Sequence, residues 1–317
     1  SFTSIALDNK YVYQEFLLDE ESINKKIFAF FRYKKFLKKI IQENNYEKLI
    51  ILTTIPSLLI YSIIRKKKYR NNYILDIRDY SYEKFKLYKL IERKIVKHSF
   101  FTAISSPGFL NFLPKTNKYV LSLNYYGHEQ KKYIQISEND KITITYIGSI
   151  SYFDENVKFL NLFANNTKYK IKYIGEGPSS NKLKDYCIAK KYLNVEFNPR
   201  YSPSDKFKFY EETNLIYNLY GNKNNLVIYA ISNKLYESAI FYKPILVSPN
   251  TQMEKEAVEN GFGFTIELND KNAPDKLYNW YVNLDTIKLK LDCNNYLKKV
   301  RSINDLFYDK LRKFLIG

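Results

Sequence analysis

The sequence predicts an α/β protein of two halves, each a parallel sheet covered by helices. Three observations predict it. The length of 317 residues suits about two domains on a prior of roughly 150 residues each. Short β-rich runs alternate with helical stretches in both halves, the pattern of a helix-covered parallel sheet. A polar, mixed segment, YGHEQKKYIQISEND at 126–140, separates the halves and reads as a linker.

In the first half a helical segment spans Glu21 to Glu43, with Ile23, Ile27, Phe30, Phe31, Leu37 and Ile41 recurring at helical spacing. Leu49–Thr53 reads as a strand and Pro56–Arg65 as a helix opened by its proline. Tyr73–Asp76 is a strand, Tyr82–Lys97 an amphipathic helix, and Phe100–Ile104 and Tyr119–Ser122 are strands. The second half restarts the pattern. Lys141–Ile147 and Lys170–Ile174 are strands that end at Gly148 and Gly175, and Val195–Phe197, Leu215–Asn218 and Pro244–Val247 are shorter ones. Helices fill the gaps, among them Ser180–Lys190 and Asn233–Phe241, and Ser302–Leu315 closes the chain.

Composition excludes several classes. Apolar residues at 45% argue against wholesale disorder, and 9 Gly with 9 Pro against a collagen-like chain. Two Cys and two His are too few for a Cys/His zinc cluster or a disulfide framework, so a reduced, cytosolic setting is expected. Cys187 and Cys293 read as packing residues. The 31 Tyr and 22 Phe run along the whole chain, which suits an AT-rich coding bias better than an aromatic binding surface. The longest apolar stretch, Leu49–Ile64, is 16 residues and is broken by Thr53, Thr54 and Pro56, short of the roughly 18 needed to span a bilayer. No signal peptide is expected, and the chain opens SFTSIALDN, without Met.

The formal charge is +18, and most of the excess lies early. Residues 1–135 hold 25 Lys and Arg against 12 Asp and Glu; residues 136–317 hold 26 against 21. One cluster, Lys25, Lys26, Arg32, Lys34, Lys35, Lys38 and Lys39, lies on the first helix, and Arg65, Lys66, Lys67, Lys68 and Arg70 form the other. A basic amphipathic helix beside a basic run suits an anionic membrane surface. A solvated helix face and a nucleic-acid surface are the alternatives.

Ligands of open α/β sheets bind beyond the carboxyl ends of the strands, and three places in the second half fit that rule. In Tyr146-Ile147-Gly148-Ser149-Ile150 a glycine after a strand lets backbone approach a phosphate, and Ser149 adds a hydroxyl. Tyr173-Ile174-Gly175-Glu176-Gly177-Pro178 turns from a strand toward a helix. Either turn alone is also what a purely structural glycine would give. In Asn233-Lys234-Leu235-Tyr236-Glu237, Lys234 and Glu237 share one helix face near its start. A lysine there neutralises a diphosphate together with the helix dipole, and a glutamate one turn on accepts ribose hydroxyls. A surface ion pair of little energetic weight is the other reading of the same spacing.

Together, in this order, these stretches resemble glycosyltransferase family 4, the retaining nucleotide-sugar transferases of GT-B fold, and most of all its capsule and surface-polysaccharide members. The matching stretches are ITYIGSI, YKIKYIGEGPSSNKLKDYC, NVEFNPRYSPSDKFKFYEETNLIYNLY, ISNKLYESAIFYKPILVSP and EAVENGFGFTI, with DLFYDKLRKFL as closing helix. In the first half YILDIRDYSYEKF and LIERKIVKHSFFTAISSPG match. The resemblance implies two Rossmann-like domains facing a cleft: an acceptor-side domain at 1–135, a nucleotide-sugar domain at 136–300, and a helix at 301–317 packing back toward the first. It places Gly148 and Ser149 at the donor phosphates, Gly175, Glu176 and Gly177 around the nucleobase, Lys234, with Asn233 and Leu235, at the diphosphate, and Glu237 at the ribose. Glu256 matches an acidic position after the next strand. The nucleotide-diphosphate sugar is the donor substrate, and no other cofactor and no metal are implied. The resemblance and the basic first half together imply a bacterial protein at the cytoplasmic, inner face of the cell membrane, with a lipid-linked glycan as the expected acceptor.

Three departures stand out. The first Glu of the family's E-x7-E motif is Tyr229 here. Ser149 stands where a basic residue often follows the first glycine turn, which leaves Lys158 or Lys234 to compensate. The family's opening strand and Gly-rich loop have no counterpart before SFTSIALDN. On the acceptor side, Asp79 is expected to orient or deprotonate a hydroxyl and Arg78 to hold an anion, or the two close the loop internally. His98 suits a helix end, and His128 lies in the linker. A nucleotide-sugar epimerase of similar architecture, a nucleic-acid-binding protein using the basic half, and a non-catalytic fragment remain alternatives to the transferase.

Overall fold

The computed structural model describes residues 23–125, 127, 141–202 and 205–317. Residues 1–22, most of the expected linker and His128 lie outside them. The chain divides into two compact units. Among the described residues, the first holds the chain up to Ile104, with Phe112–Val120 and Tyr308–Gly317, and the second holds Ser105–Asn111 and Leu121–Phe307.

In the first unit α1 (Ile23–Glu43) precedes β1 (Leu49–Leu52), α2 (Thr54–Leu59), α3 (Tyr61–Ile64), β2 (Tyr73–Ile77), α4 (Lys86–His98), β3 (Phe101–Ile104) and β4 (Tyr119–Leu121). The sheet order is β1-β2-β3-β4. β1–β2 and β2–β3 are parallel, and Asp76 is level with Leu52 on one side and Ala103 on the other. Tyr73, Ile74, Leu75 and Ile77 of β2 are buried, as the continuous apolar run of a covered parallel strand requires. The expected helix over Pro56–Arg65 is two short ones that start at Thr54 and break at Ile60. Pro56 is tolerated because the first helical N–H groups have no intrahelical partner. The helix expected from Tyr82 starts at Lys86. Glu83 is buried instead, its carboxylate accepting the Ser81 N–H at 2.6 Å, while Phe85 N–H turns back to the Tyr82 carbonyl. Among the described side chains of α1, Ala29 and Ile41 are buried in the core, while Ile27, Phe28, Phe30 and Phe31 stay exposed.

The second unit contains β5 (Ile142–Ile147), α5 (Phe153–Phe163), β6 (Tyr169–Ile174), α6 (Ser180–Ala189), β7 (Val195–Asn198), α7 (Lys206–Glu211), β8 (Leu215–Asn218), α8 (Asn225–Tyr229), α9 (Asn233–Phe241), β9 (Ile245–Val247), α10 (Gln252–Glu259), β10 (Gly263–Thr265), α11 (Ala273–Val282) and, up to Phe307, α12 (Thr286–Ile316). Its sheet order is β10-β9-β8-β5-β6-β7, and every pair is parallel. Read from the other edge this is the doubly wound order, with its reversal beside β5. Buried tyrosines fill much of the core: Tyr146, Tyr173 and Tyr217 lie with ring centroids 5.2–6.2 Å apart. The sole tryptophan, Trp280, packs on Phe264 with ring centroids 4.9 Å apart. The closing helix is longer than the Ser302 start expected. Asp285 accepts the N–H groups of Ile287 and Lys288, each at 2.9 Å, and so starts α12 a full 16 residues earlier, at Thr286. Leu289, Cys293, Tyr296, Leu297 and Val300 form its buried stripe.

Among the described residues no helix is long and apolar enough to cross a membrane.

Candidate functional site

The reversal of strand order beside β5 creates the crevice where such sheets take ligands, at the carboxyl ends of β5 and β8. The residues there come from four places in the chain. Gly148 follows β5 with φ +125°, and Gly175 follows β6 with φ +121°, a region that glycine enters at little cost. A Cβ on Gly175 would stand 2.3 Å from the Gly148 carbonyl oxygen, and one on Gly177 would stand 2.5 Å from backbone atoms of Ile150. The two turns therefore interlock through backbone. The Tyr146 hydroxyl donates to the Ser149 carbonyl at 2.7 Å and pins the first of them. Ser149 and Glu176 are exposed at the surface of this pair of turns.

Lys234 enters from α9. Ser232 caps the helix, its hydroxyl accepting the Lys234 N–H at 3.3 Å. The Lys234 side chain is buried, and a Cβ on Gly148 would stand 3.8 Å from its Nζ. Nζ lies 4.7 Å from the Tyr146 ring centroid and 5.1 Å from that of Tyr220, and it donates to the Tyr220 hydroxyl. Burial pulls the ammonium below the ordinary lysine range, against the attraction of Tyr146 and Glu237. Lys158, the other basic candidate for this turn, is paired with Glu155 at 3.0 Å. The cation beside the glycine turn is Lys234.

Glu237 lies one turn further along α9, half-buried. Lys206 of α7 donates to its Oε1 and the Tyr210 hydroxyl to its Oε2. Beside this group is a cavity of about 150 Å³, lined by Tyr152, Asn218, Tyr220, Ser232 and Met253 among others. Asn218 is buried, and its Oδ1 has no hydrogen-bond partner among the described residues. Tyr229 takes part through its backbone: its carbonyl accepts the Ser106 hydroxyl at 2.5 Å, and Gly108 lies so close that a Cβ there would meet the same oxygen at 2.5 Å.

The structure thus gathers Gly148, Gly175, Gly177, Lys234 and Glu237 of the residues expected on the donor side, with Asn233 exposed at the first turn of α9. Two others are placed differently. The Leu235 side chain is wholly inside the core, and its N–H is spent on the Ser232 carbonyl at 3.0 Å. Glu256 lies on the flank of α10 that meets α12, accepting from Gln252 at 3.1 Å and facing Lys299 at 3.9 Å. In the first unit Arg78 donates to Asp76 at 2.8 Å, so the internal pair joins Arg78 to Asp76 and leaves Asp79 exposed beside it. His98 is the last residue of α4. Both cysteines are buried.

Sequence reasoning passed over Tyr220, Lys206 and Tyr210. Tyr220 stands two residues beyond β8, where the strand-end rule points. Lys206 and Tyr210 carry no local signal, because only tertiary packing brings α7 to α9.

No protein-family profile and no curated protein sequence matches the chain. Solved structures do match it. Sucrose-phosphate synthase from Thermosynechococcus elongatus superposes with TM-score 0.68 at 11% identity, over 93% of this chain and 80% of that one. HepE from Anabaena in complex with UDP and glucose gives 0.61 at 11%, over 87% and 80%. The apo lipopolysaccharide outer core galactosyltransferase WaaB gives 0.64 at 11%, over 92% and 82%. At such identities the likeness is one of fold, and the fold of this chain is the GT-B fold of glycosyltransferases.

Proposed function

We propose that the protein is a retaining glycosyltransferase of family 4 type, which moves a sugar from a nucleotide-sugar donor to a lipid-linked glycan during surface-polysaccharide synthesis. The observation that carries this reading is the buried Lys234 ammonium at the capped start of α9, beside the Gly148 turn and one turn ahead of Glu237. A dianionic leaving group seated there meets a fixed cation and the positive end of a helix, which stabilise the charge that builds up as the glycosidic bond breaks. Glu237 accepts ribose hydroxyls, as acidic residues do in dinucleotide sites. HepE, of the same fold, is described with UDP and glucose bound, which supports a uridine nucleotide as the first donor to try. Asp79, exposed after β2, orients the acceptor hydroxyl, and no metal is required by this arrangement. The exposed Lys25, Lys35, Lys39, Arg65, Lys66, Lys67 and Lys68 and the half-buried Lys38 dock the first unit on the anionic inner face of the membrane, with Lys26 of the first helix.

Thermal stabilisation by UDP, GDP, CMP, dTDP and ADP tests the reading, because a ligand of the native state raises the melting temperature by mass action. A shift with one diphosphate that disappears in Lys234→Ala and Glu237→Ala is the expected result. No shift with any of them overturns the donor assignment.

A further inference from the structure

Lys234 is held in place by aromatic residues. The Tyr220 hydroxyl receives a hydrogen bond from its ammonium, and the rings of Tyr146 and Tyr220 face it. Tyr220 is in turn clamped. Tyr152 stacks on it with ring centroids 4.8 Å apart and planes 28° from parallel. Tyr152 does so from φ +59°, a left-handed backbone conformation that is costly for a bulky side chain and is kept only where the surroundings impose it. It is also the residue that directly precedes α5. Without Tyr220, a flexible lysine stem has several rotamers open to it, and only a few place the ammonium at the glycine turn.

We propose that Tyr220 is the positioning residue for Lys234, its hydroxyl holding the ammonium at the amino end of α9 over the Gly148 turn, with Tyr152 clamping the Tyr220 ring. The inference rests on the reading of Lys234 as the diphosphate anchor. The groups that face the ammonium are Tyr146 from β5, Tyr220 from the segment after β8, and Glu237 from α9 itself, whose charge is shared with Lys206. Burial pushes the Tyr220 phenol up to about 12, so it stays protonated and neutral over the range in which the lysine titrates. Its oxygen therefore accepts from the ammonium and favours the charged form. Removing that acceptor leaves the same buried ammonium with one partner fewer.

The test is a titration of Lys234 in protein labelled at the lysine Cε carbon, its resonance assigned with Lys234→Arg, in wild type, Tyr220→Phe and Tyr152→Gly. Tyr220→Phe is expected to move the Lys234 titration down by about one pH unit. UDP affinity, measured by calorimetry from neutral to alkaline pH, falls several-fold at neutral pH, where the ammonium loses its fixed place, and by a further factor of about ten at the alkaline end. Tyr152→Gly reproduces part of both effects by removing the clamp, with the left-handed backbone kept because glycine accepts it, and it carries the test if Tyr220→Phe does not fold. A Lys234 titration unchanged in both variants overturns the inference, as does a UDP affinity that Tyr220→Phe leaves unchanged at every pH. A shifted titration in a protein that binds no nucleoside diphosphate supports the placement of Lys234 by Tyr220 and overturns the transferase reading alone.

Discussion

Lys206 and Glu237 form an ion pair that ties α7 to α9, with the Tyr210 hydroxyl on the second carboxylate oxygen. Both side chains are mostly covered, at 26% and 15% exposure. Such a pair lies between the exposed limit, where loss is nearly silent, and the fully buried one, where loss of one partner is severe. Lys206→Met is expected to lower the unfolding free energy by about 2 kcal/mol, measured by urea denaturation. The exposed Lys39–Glu43 pair serves as the control; its disruption costs under about 1 kcal/mol.

Glu92 of α4 is wholly buried, with no hydrogen-bond partner for either oxygen among the described residues. Burial first, then the neighbouring Glu83 carboxyl, push it up to about 8, with Lys89 partly opposing. The folded protein thus keeps a proton that the unfolded chain releases near 4.5. The stability this confers is complete below that value and is lost as the pH rises through about 8. Glu92→Gln should flatten that slope and stabilise the protein at alkaline pH by on the order of a few kcal/mol. Melting temperatures of both proteins across this range check it; parallel curves refute it.

Gly175 and Gly148 share a positive φ but differ in what an added side chain would meet. Gly175→Ala drives a methyl into backbone at 2.3 Å and should cost about 3 kcal/mol or more. Gly148→Ala meets only the Lys234 ammonium at 3.8 Å, so it should cost about 1 kcal/mol in backbone strain while weakening nucleotide binding. Paired denaturation and calorimetry separate the two effects.

The exposed Phe28 and Phe31 of α1 stand on the helix that carries Lys35, Lys38 and Lys39. Each lysine near an anionic surface contributes about 1 kcal/mol. Replacing all three with glutamate should reduce sedimentation with phosphatidylglycerol vesicles at least about a hundredfold, and added salt should weaken wild-type binding. Phe31→Ser should weaken it at every salt concentration. Equal partition of wild type and the charge-reversed protein into these vesicles would dismiss the docking role.

The parts of this site that were legible are those written within one element or at its end. The glycine turns after β5 and β6 announce themselves because a strand stops at a residue able to take a positive φ. Lys234 and Glu237 share a helix face by spacing alone, and α9 spans the residues expected of it. What connects elements was not legible. Lys206, Tyr210 and Tyr220 reach their partners only through the packing of α7, α8 and α9 on the sheet. Glu256 shows the converse: its place in a motif suggests a ligand, yet the phase of α10 turns it toward Lys299. The length of α12 was hidden for a different reason, since Asp285 caps it ahead of a stretch whose apolar residues are spaced too unevenly to read as a helix start.

The contact of Trp280 with Phe264 has a practical consequence. With a single indole in the whole chain, and that one against β10 in the second unit, intrinsic fluorescence reads a single locality. A change in its emission during denaturation tracks the loosening of the second unit, whereas circular dichroism sums over both. Two curves that fail to coincide would reveal that the halves melt one after the other, using no label but the one the chain already carries.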